Sequence, residues 1–223
     1  MISIENNLDN VKINSYDLFM VREKYHHGNL KQSLIDSGIL ILQEDGISAF
    51  TLRSAARRAG VSHSAPYAHF TDKGALLAAI STQGFLMLDR QLSQAVEEHH
   101  DSPANLLVEF SWAYTRFALE YTALFKLMFS GILEDEHAYP EFMTAVRKTY
   151  NKLIEVVKRC QSAGVLQNHP AEDTAIAIWS MVHGFVNLYI ERQIPGQLVE
   201  GIHLKDMLVN LLTHLTTKTK VTL

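Results

Sequence analysis

The sequence is short of chain breakers. Glycine and proline together supply 16 of its 223 residues, roughly 7% where an ordinary chain has about 12%. So few breaks exclude an all-β fold rich in tight turns and predict long helices. Cysteine is almost missing: Cys160 is the single one, so neither an internal disulfide nor a cysteine-based zinc site can form. A reducing, cytoplasmic setting is the expectation. Long hydrophobic runs are missing too. The longest mainly apolar stretch free of Asp, Glu, Lys and Arg covers 174–190 and contains Ser180, His183 and Asn187, whereas a membrane span wants about 20 apolar residues. The opening MISIENNLDNVKINSYD has neither a basic start nor an apolar run, which argues against a signal peptide.

A positive surplus is also lacking, since the net charge is −4. The average hides a gradient. Residues 1–21 carry −2, residues 22–75 carry +2 and the remaining 148 residues carry −4. The middle segment also holds His26, His27, His63 and His69. A charge of +2 is a weak electrostatic footprint, one that permits nucleic-acid binding without demonstrating it.

What the chain does have is helical periodicity. Residues 1–21, rich in Asn and Asp, lack a sustained period and read as a flexible extension. From Leu30 the apolar positions Leu34, Ile41 and Leu42 recur at helical spacing, predicting a helix of about 16 residues that ends at Glu44-Asp45-Gly46. A short helix comes next over 52–59 with Thr51 as its N-cap, then a third over about 63–69. A longer fourth helix, after Thr71-Asp72, runs to about Val96. Further helices are predicted over 104–120, 122–130, 139–163, 171–191 and 204–217, with Pro and Gly near their junctions.

The segment Thr51–Phe70, TLRSAARRAGVSHSAPYAHF, has the spacing of a helix-turn-helix. Ala55, Ala56 and Ala59 are small enough to let two helices cross closely. Gly60 can take the positive φ a sharp turn needs, Val61 can plug the space between the helices, and Ser62 can cap the third helix. The helix after the turn is short and polar, which packing explains poorly. A helix laid in a DNA major groove explains it well. Ser62, His63 and Ser64 then face base edges or phosphates, and Ala65 and Pro66 offer apolar contact to thymine methyl groups. Tyr67, His69, Arg53 and Lys73 are candidates for phosphate contact. Pro66 removes one backbone hydrogen bond and predicts a slightly distorted first turn. Arg57 and Arg58 read as a solvated face with one incidental phosphate contact, and Arg22 and Lys24 as an arm toward the backbone or minor groove.

With those residues in place, residues 28–88 resemble the DNA-binding domain of the tetracycline-repressor (TetR) family of bacterial transcription regulators. The resemblance rests on Glu44-Asp45-Gly46, Thr51-Leu52-Arg53, Ala59-Gly60-Val61-Ser62, Tyr67-Ala68-His69-Phe70 and Asp72-Lys73 before Ala75-Leu76-Leu77. Farther on, Trp179-Ser180-Met181-Val182-His183-Gly184 resembles the Trp-His-Gly (WHG) signature of one type of TetR C-terminal domain. Gly74 departs from the family, which often has Glu there. Its loss deprives Thr71 of a capping-box partner at a cost of up to ~1 kcal/mol.

The resemblance implies an all-α homodimer. A helix-turn-helix DNA-binding domain (22–75) is joined by the fourth helix to a helical effector-binding and dimerisation domain (76–223). The last two long helices, about 171–191 and 204–217, pair with the second copy. Their apolar residues exceed what one core face needs, which fits a subunit interface. The function implied is a ligand-responsive regulator, a repressor in the first instance, on a palindromic double-stranded operator. A helical small-molecule-binding protein without specific DNA binding, or an activator, are the rival readings. No catalytic grouping stands out, and neither membrane nor cofactor is called for.

Bland readings compete for several residues. Phe110, Trp112, Tyr114, Phe117, Phe125, Met128 and Phe129 are core residues by their spacing, and a subset lining an effector cavity with Trp179 or Tyr189 is the sharper reading. Phe110, Trp112, Phe117, Phe125, Met128, Trp179 and His183 are the residues named for that pocket. His183 in an apolar helix reads first as a hydrogen-bonded core or interface histidine. The adjacent pairs His26-His27 and His99-His100 point about 100° apart on a helix and suit no shared ion, so no metal site is expected. Cys160 reads as a buried, inert thiol.

Overall fold

The computed structural model describes residues 29–199 and 201–217. The expected extension 1–21, the arm residues Arg22 and Lys24, and the pair His26-His27 lie outside them. Among the described residues the fold is all-α, with one isolated antiparallel bridge between Leu166 and Thr216 and no strand. The α-helices are α1 (Leu30–Asp45), α2 (Leu52–Arg58), α3 (Lys73–Glu98), α4 (Pro103–Glu120) and α5 (Thr122–Met128). They continue with α6 (Pro140–Ser162), α7 (Ala171–Ile190), α8 (Gly196–Val199) and α9 (Leu204–Thr213). Short 3₁₀ turns occupy Ile47–Ala49, Ala65–Ala68 and Glu136–Ala138. Among the described residues no helix is long and apolar enough to cross a membrane.

Apart from the one expected over 63–69, the expected helices are present with ends shifted by a few residues, and α8 is an addition. The correction concerns the segment after the turn. It is a four-residue 3₁₀ turn, Ala65–Ala68, instead of a helix over 63–69. An α-helix here would need the N–H of Pro66 to reach the Ser62 carbonyl, and proline has none; its ring would also crowd that carbonyl. The Ser62 carbonyl accepts from Ala65 N–H instead (3.0 Å), and the Ser64 carbonyl accepts from Tyr67 N–H (3.2 Å). Proline therefore sets the helix type of the whole segment.

The described chain forms two compact units. The first contains 29–87 and 120–146, the second 88–119, 147–199 and 201–217. Residues 76–87 and 120–146 thus share a unit with the helix-turn-helix, and α3 and α6 each contribute to both units. The core of the first unit is built on Leu34, Leu42, Phe50, Leu76, Ile80, Leu124 and Phe125, all fully buried. Each such side chain contributes about 1.5–3 kcal/mol. Gly38 makes a close approach possible there. A Cβ at that position would collide with Ile80 Cδ1 and lie 2.9 Å from the Phe50 ring, so α1 comes against α3 only because residue 38 has no side chain. Phe85, Phe129 and Phe142 add edge-on ring contacts at 5.4 and 5.7 Å.

The second unit is centred on Leu92, Leu106, Leu107, Phe117, Val157, Ala175 and Leu208. Helix α6 shows why it folds as it does. Leu153, Val156, Val157 and Cys160 fall on one face and are buried, while Glu155, Lys158 and Arg159 on the other are exposed.

Candidate nucleic-acid interface

The frame of the helix-turn-helix is made by local capping. Thr51 Oγ1 accepts from Ser54 N–H (2.9 Å), and Ser54 Oγ accepts from Thr51 N–H (2.9 Å), a reciprocal capping box at the start of α2. At its end Gly60 has φ +70°. The Gly60 N–H donates to the Arg57 carbonyl (3.2 Å) and the Val61 N–H to the Ala56 carbonyl (3.0 Å). That pair of bonds is a Schellman motif, which needs a left-handed residue and so favours glycine. Ala55, Ala56 and Ala59 are buried at the crossing. Val61 is half-buried.

Two capping expectations are corrected. Ser62 caps nothing: its hydroxyl lies 3.1 Å from Ser64 Oγ, and no side chain caps the 3₁₀ turn. The tighter turn carries the N–H groups that Ser62 would have met away from it. At the start of α3 the cap is Asp72, not Thr71, with Asp72 Oδ1 accepting from Ala75 N–H (2.8 Å). The Thr71 hydroxyl donates to Asp72 Oδ2 (3.2 Å). The space a side chain at Gly74 would fill is taken by Tyr139, whose hydroxyl lies 2.9 Å from the position of a Cβ there. Burial raises the Tyr139 pKa, with Asp72, Asp135 and Glu134 adding to the rise.

On this frame Ser62, His63, Ser64, Tyr67 and His69 are exposed, Ala65 is half-buried and Pro66 is buried. Tyr67 stands out at 62% exposure, large for an aromatic residue with no packing role. Pro66 faces the core, so of the two residues expected at thymine methyl groups only Ala65 is presented. Thr51, Arg53, Arg57 and Lys73 are exposed as well. Lys73 opens a 26-residue helix, where the positive end of the macrodipole disfavours a cation. Its ammonium lies 5.8 Å over the Phe50 ring. Arg58, by contrast, is committed to Glu44 through two hydrogen bonds of 2.7 Å. Neither Arg53 nor Arg57 is ion-paired among the described residues. Ala49, Thr51, Arg53, Ser54, Arg57 and His63 line an open recess of about 330 Å³. The sequence allows the pair Arg57-Arg58 one phosphate contact; the engagement of Arg58 by Glu44 and the spacing of four from Arg53 favour Arg57 for it.

The seven residues named for an effector pocket fall in both units. Phe125 and Met128 are core residues of the first. Phe110 and Phe117 are buried in the second, and Trp112 lies 6.0 Å from the Lys205 ammonium, which also pairs with Glu109 at 2.7 Å. Trp179 and His183 meet at Tyr114, one of the aromatic residues clustered between 110 and 129. The Tyr114 hydroxyl accepts from Trp179 Nε1 (3.2 Å) and lies 2.7 Å from His183 Nδ1. Burial pushes the Tyr114 pKa up and the His183 pKa down. Both groups are therefore neutral near pH 7, and the imidazole tautomer sets which of them donates in the bond between them. Tyr150 packs on Trp179 at 6.0 Å.

Residues 34–80 match the family described as bacterial regulatory proteins, tetR family, and residues 107–210 match a tetracyclin repressor-like C-terminal domain. The chain belongs to the TetR family of transcriptional regulators. The C-terminal match contains the Trp179…His183-Gly184 signature. A protein of unknown function from Rhodococcus sp. RHA1 is 31% identical, with 86% of this chain and 95% of that chain covered and a TM-score of 0.71. The TetR-family regulator PfmR from Thermus thermophilus shares the fold at 19% identity, with 81% and 97% covered and a TM-score of 0.61. The nicotine-responsive transcriptional repressor HdnoR of Paenarthrobacter nicotinovorans is 29% identical over 85 residues, 37% of this chain and 44% of that repressor. The match thus spans less than half of the repressor's length. DNA-binding transcriptional regulation is the shared function of the family to which this chain belongs.

Proposed function

We propose that this regulator is a repressor that binds a palindromic operator as a homodimer and is released by a small molecule. One observation carries the reading. A tightly capped frame leaves Ser62, His63, Ser64, Tyr67 and His69 exposed, and no packing contact accounts for that polarity. Ser62, His63, Ser64 and Ala65 are assigned to base edges, and Thr51, Arg53, Tyr67, His69 and Lys73 to phosphates. Two such segments about 34 Å apart enter successive major grooves. Residues 22–75 form the DNA-binding segment and 76–223 the effector-binding and dimerisation segment.

The homodimer is supported by exposed apolar side chains on α7, Ile176 at 52%, Leu188 at 46% and Trp179 at 37%, apolar surface that a second copy would cover in part. Ligand response is supported by the likeness to a nicotine-responsive repressor. Of the expected pocket residues, Trp179 and His183 are among those not fully buried. A ligand can act only through different affinity for the DNA-competent and released arrangements.

Retardation of a duplex taken from upstream of the protein's own gene tests the reading, read as affinity against salt. Tyr67→Ala and Lys73→Ala weaken binding to every sequence, and Lys73→Ala, which deletes a charge, also lowers the log–log salt slope by about one per subunit. Ser64→Ala changes sequence preference instead. Wild-type-like binding by Tyr67→Ala across the titration overturns the docking, and sedimentation as a single chain at operator-binding concentrations overturns the homodimer.

A further inference from the structure

Gly74 lies in the first turn of α3, although glycine is a poor helix former. Its backbone does not call for glycine, since it is not among the residues with positive φ. What calls for it is space. A Cβ there would lie 2.9 Å from the Tyr139 hydroxyl and 3.1 Å from Asp72 Oδ1, and the shorter distance would force one of the two groups to move.

Tyr139 is itself held by backbone on both sides. Its N–H donates to the Glu136 carbonyl (3.0 Å) at the end of the turn Glu136–Ala138, and its carbonyl accepts from Met143 N–H (3.1 Å) at the start of α6. Asp135 Oδ1 caps the turn by accepting from His137 N–H (3.0 Å). Pro140 follows as the first residue of α6, where its fixed φ suits the helix. With its pKa raised by burial and by Asp72, Asp135 and Glu134, the phenol meets α3 as a neutral group.

Three residues on, Phe142 is buried, and its ring lies 5.7 Å from that of Phe85 on α3. The start of α6 therefore touches α3 at Gly74 and at Phe85, positions about 16 Å apart along a helix axis. All of these residues lie in the first unit. A single contact would leave α3 free to tilt about it, and a second one fixes the inclination. The end that would tilt is the one the recognition segment joins, through the buried Phe70 and through Asp72, whose carboxylate caps the helix.

We propose that Tyr139 is a positioning residue for operator binding: seated on Gly74, it holds the first turn of α3 at the inclination that keeps the recognition segment in register with base edges. The inference rests on the DNA-binding reading and adds to it a residue from outside the helix-turn-helix. The contact acts through shape, so exchanging the sizes of the two partners tests it.

Wild type, Gly74→Ala, Tyr139→Phe and the double variant are titrated with the duplex from upstream of the protein's own gene and with a random duplex of equal length, at one salt concentration. Urea unfolding of each protein is followed alongside. Gly74→Ala sets a methyl group against the Tyr139 hydroxyl and is expected to lower the ratio of operator to random-duplex affinity about tenfold. Tyr139→Phe removes the oxygen and leaves a small gap, with a loss of about twofold. In the double variant the methyl group occupies the space the oxygen left, and the ratio returns to within about threefold of wild type. The helix propensity of alanine and its push on Asp72 are the same with and without Tyr139→Phe, so they cancel in the comparison. Tyr139→Ala removes the seat without touching α3; it should match Gly74→Ala, and adding Gly74→Ala to it should cost nothing further.

A contact that served folding alone would shift the urea midpoint and leave the ratio at its wild-type value. A Gly74→Ala ratio equal to wild type, or an equal loss from Gly74→Ala with and without Tyr139→Phe, overturns the inference and leaves the DNA-binding reading intact. Wild type that binds neither duplex, or both alike, overturns that reading instead.

Discussion

The two units solve the problem of their polar side chains differently. In the helix-turn-helix the polar contacts are local: Thr51 with Ser54 and Asp72 with Ala75, each three residues apart. Side chains there satisfy nearby backbone, and the rest of the polar surface is left facing outward. In the second unit polar groups are joined across the chain. Tyr114 and His183 are 69 residues apart, Lys152 reaches the backbone of Asp89 over 63, and Lys205 reaches Glu109 over 96. The first arrangement builds a rigid frame that presents side chains to something else. The second commits side chains to one another and makes tertiary stability depend on them. Substitutions should therefore separate: those in the second unit read out as stability, and those in the helix-turn-helix as DNA affinity.

The largest effect is expected at Asp89. Its carboxylate is 8% exposed and meets Lys152 at 2.6 Å and Lys148 at 2.8 Å, while Lys152 also bonds the Asp89 carbonyl and Ser93 Oγ. Asp89→Ala leaves the mostly buried Lys152 ammonium without its counterion and should cost about 3 kcal/mol, read from the urea midpoint at pH 7. Burial alone would raise the Asp89 pKa, but hydrogen bonds and charge from Lys148 and Lys152 outweigh it and hold it below the ordinary value. The resulting stability is present above the unfolded carboxylate value of about 3.9. It is lost as pH falls through the lower folded value. Asp89→Ala should remove that portion of the acid sensitivity.

Next is Tyr114→Phe, expected to cost about 2 kcal/mol. It removes the oxygen that receives Trp179 Nε1 and bonds His183 Nδ1. Because burial lowers the His183 pKa, neutral histidine favours the fold. That contribution is full above the ordinary imidazole range and is lost as pH falls through the folded value. Wild type should thus lose stability in two acid steps, with the imidazole step altered by Tyr114→Phe and the carboxylate step by Asp89→Ala. A chemical-denaturation series across pH separates them.

These two sites also mark where sequence reading stops. The frame around Thr51, Gly60 and Asp72 was legible in outline because capping acts within a few residues. Its errors were local too: Pro66 made a 3₁₀ turn of an expected helix, and Asp72 displaced Thr71 as the cap. Nothing near Tyr114 in the sequence announces His183, and nothing near Asp89 announces Lys152, because those partners are chosen by packing. The recess was hidden for a related reason. Arg57 and Arg58 are neighbours of identical type, and only the position of Glu44 on α1 determines which of them is neutralised.

Gly60→Ala probes the helix-turn-helix side of that contrast. A left-handed φ of +70° costs a non-glycine residue about 1 kcal/mol, a smaller loss of stability than at either site in the second unit. Its effect on operator affinity should be the larger one, since relaxing the turn moves His63 and the recognition segment relative to α2. Thermal melting and duplex titration on the same preparation check the pairing. A variant that lost stability and kept operator affinity would show that the turn serves only folding.

The smallest effect, and the sharpest contrast, lies between the adjacent arginines. Arg58→Ala breaks a two-bond pair with Glu44 in which the partners are 31% and 54% exposed, so solvent screening limits the loss to about 0.5 kcal/mol. It removes no group from the recess and should leave the salt slope of DNA binding unchanged. Arg57→Ala should do the reverse, with no measurable loss of stability and a slope reduced by about one per subunit. The same charge is deleted in both variants, so a general loss of positive field would affect them alike. Equal slopes in the two would mean that the helix-turn-helix attracts DNA through its overall charge; unequal slopes tie the attraction to the side chain that Glu44 leaves free.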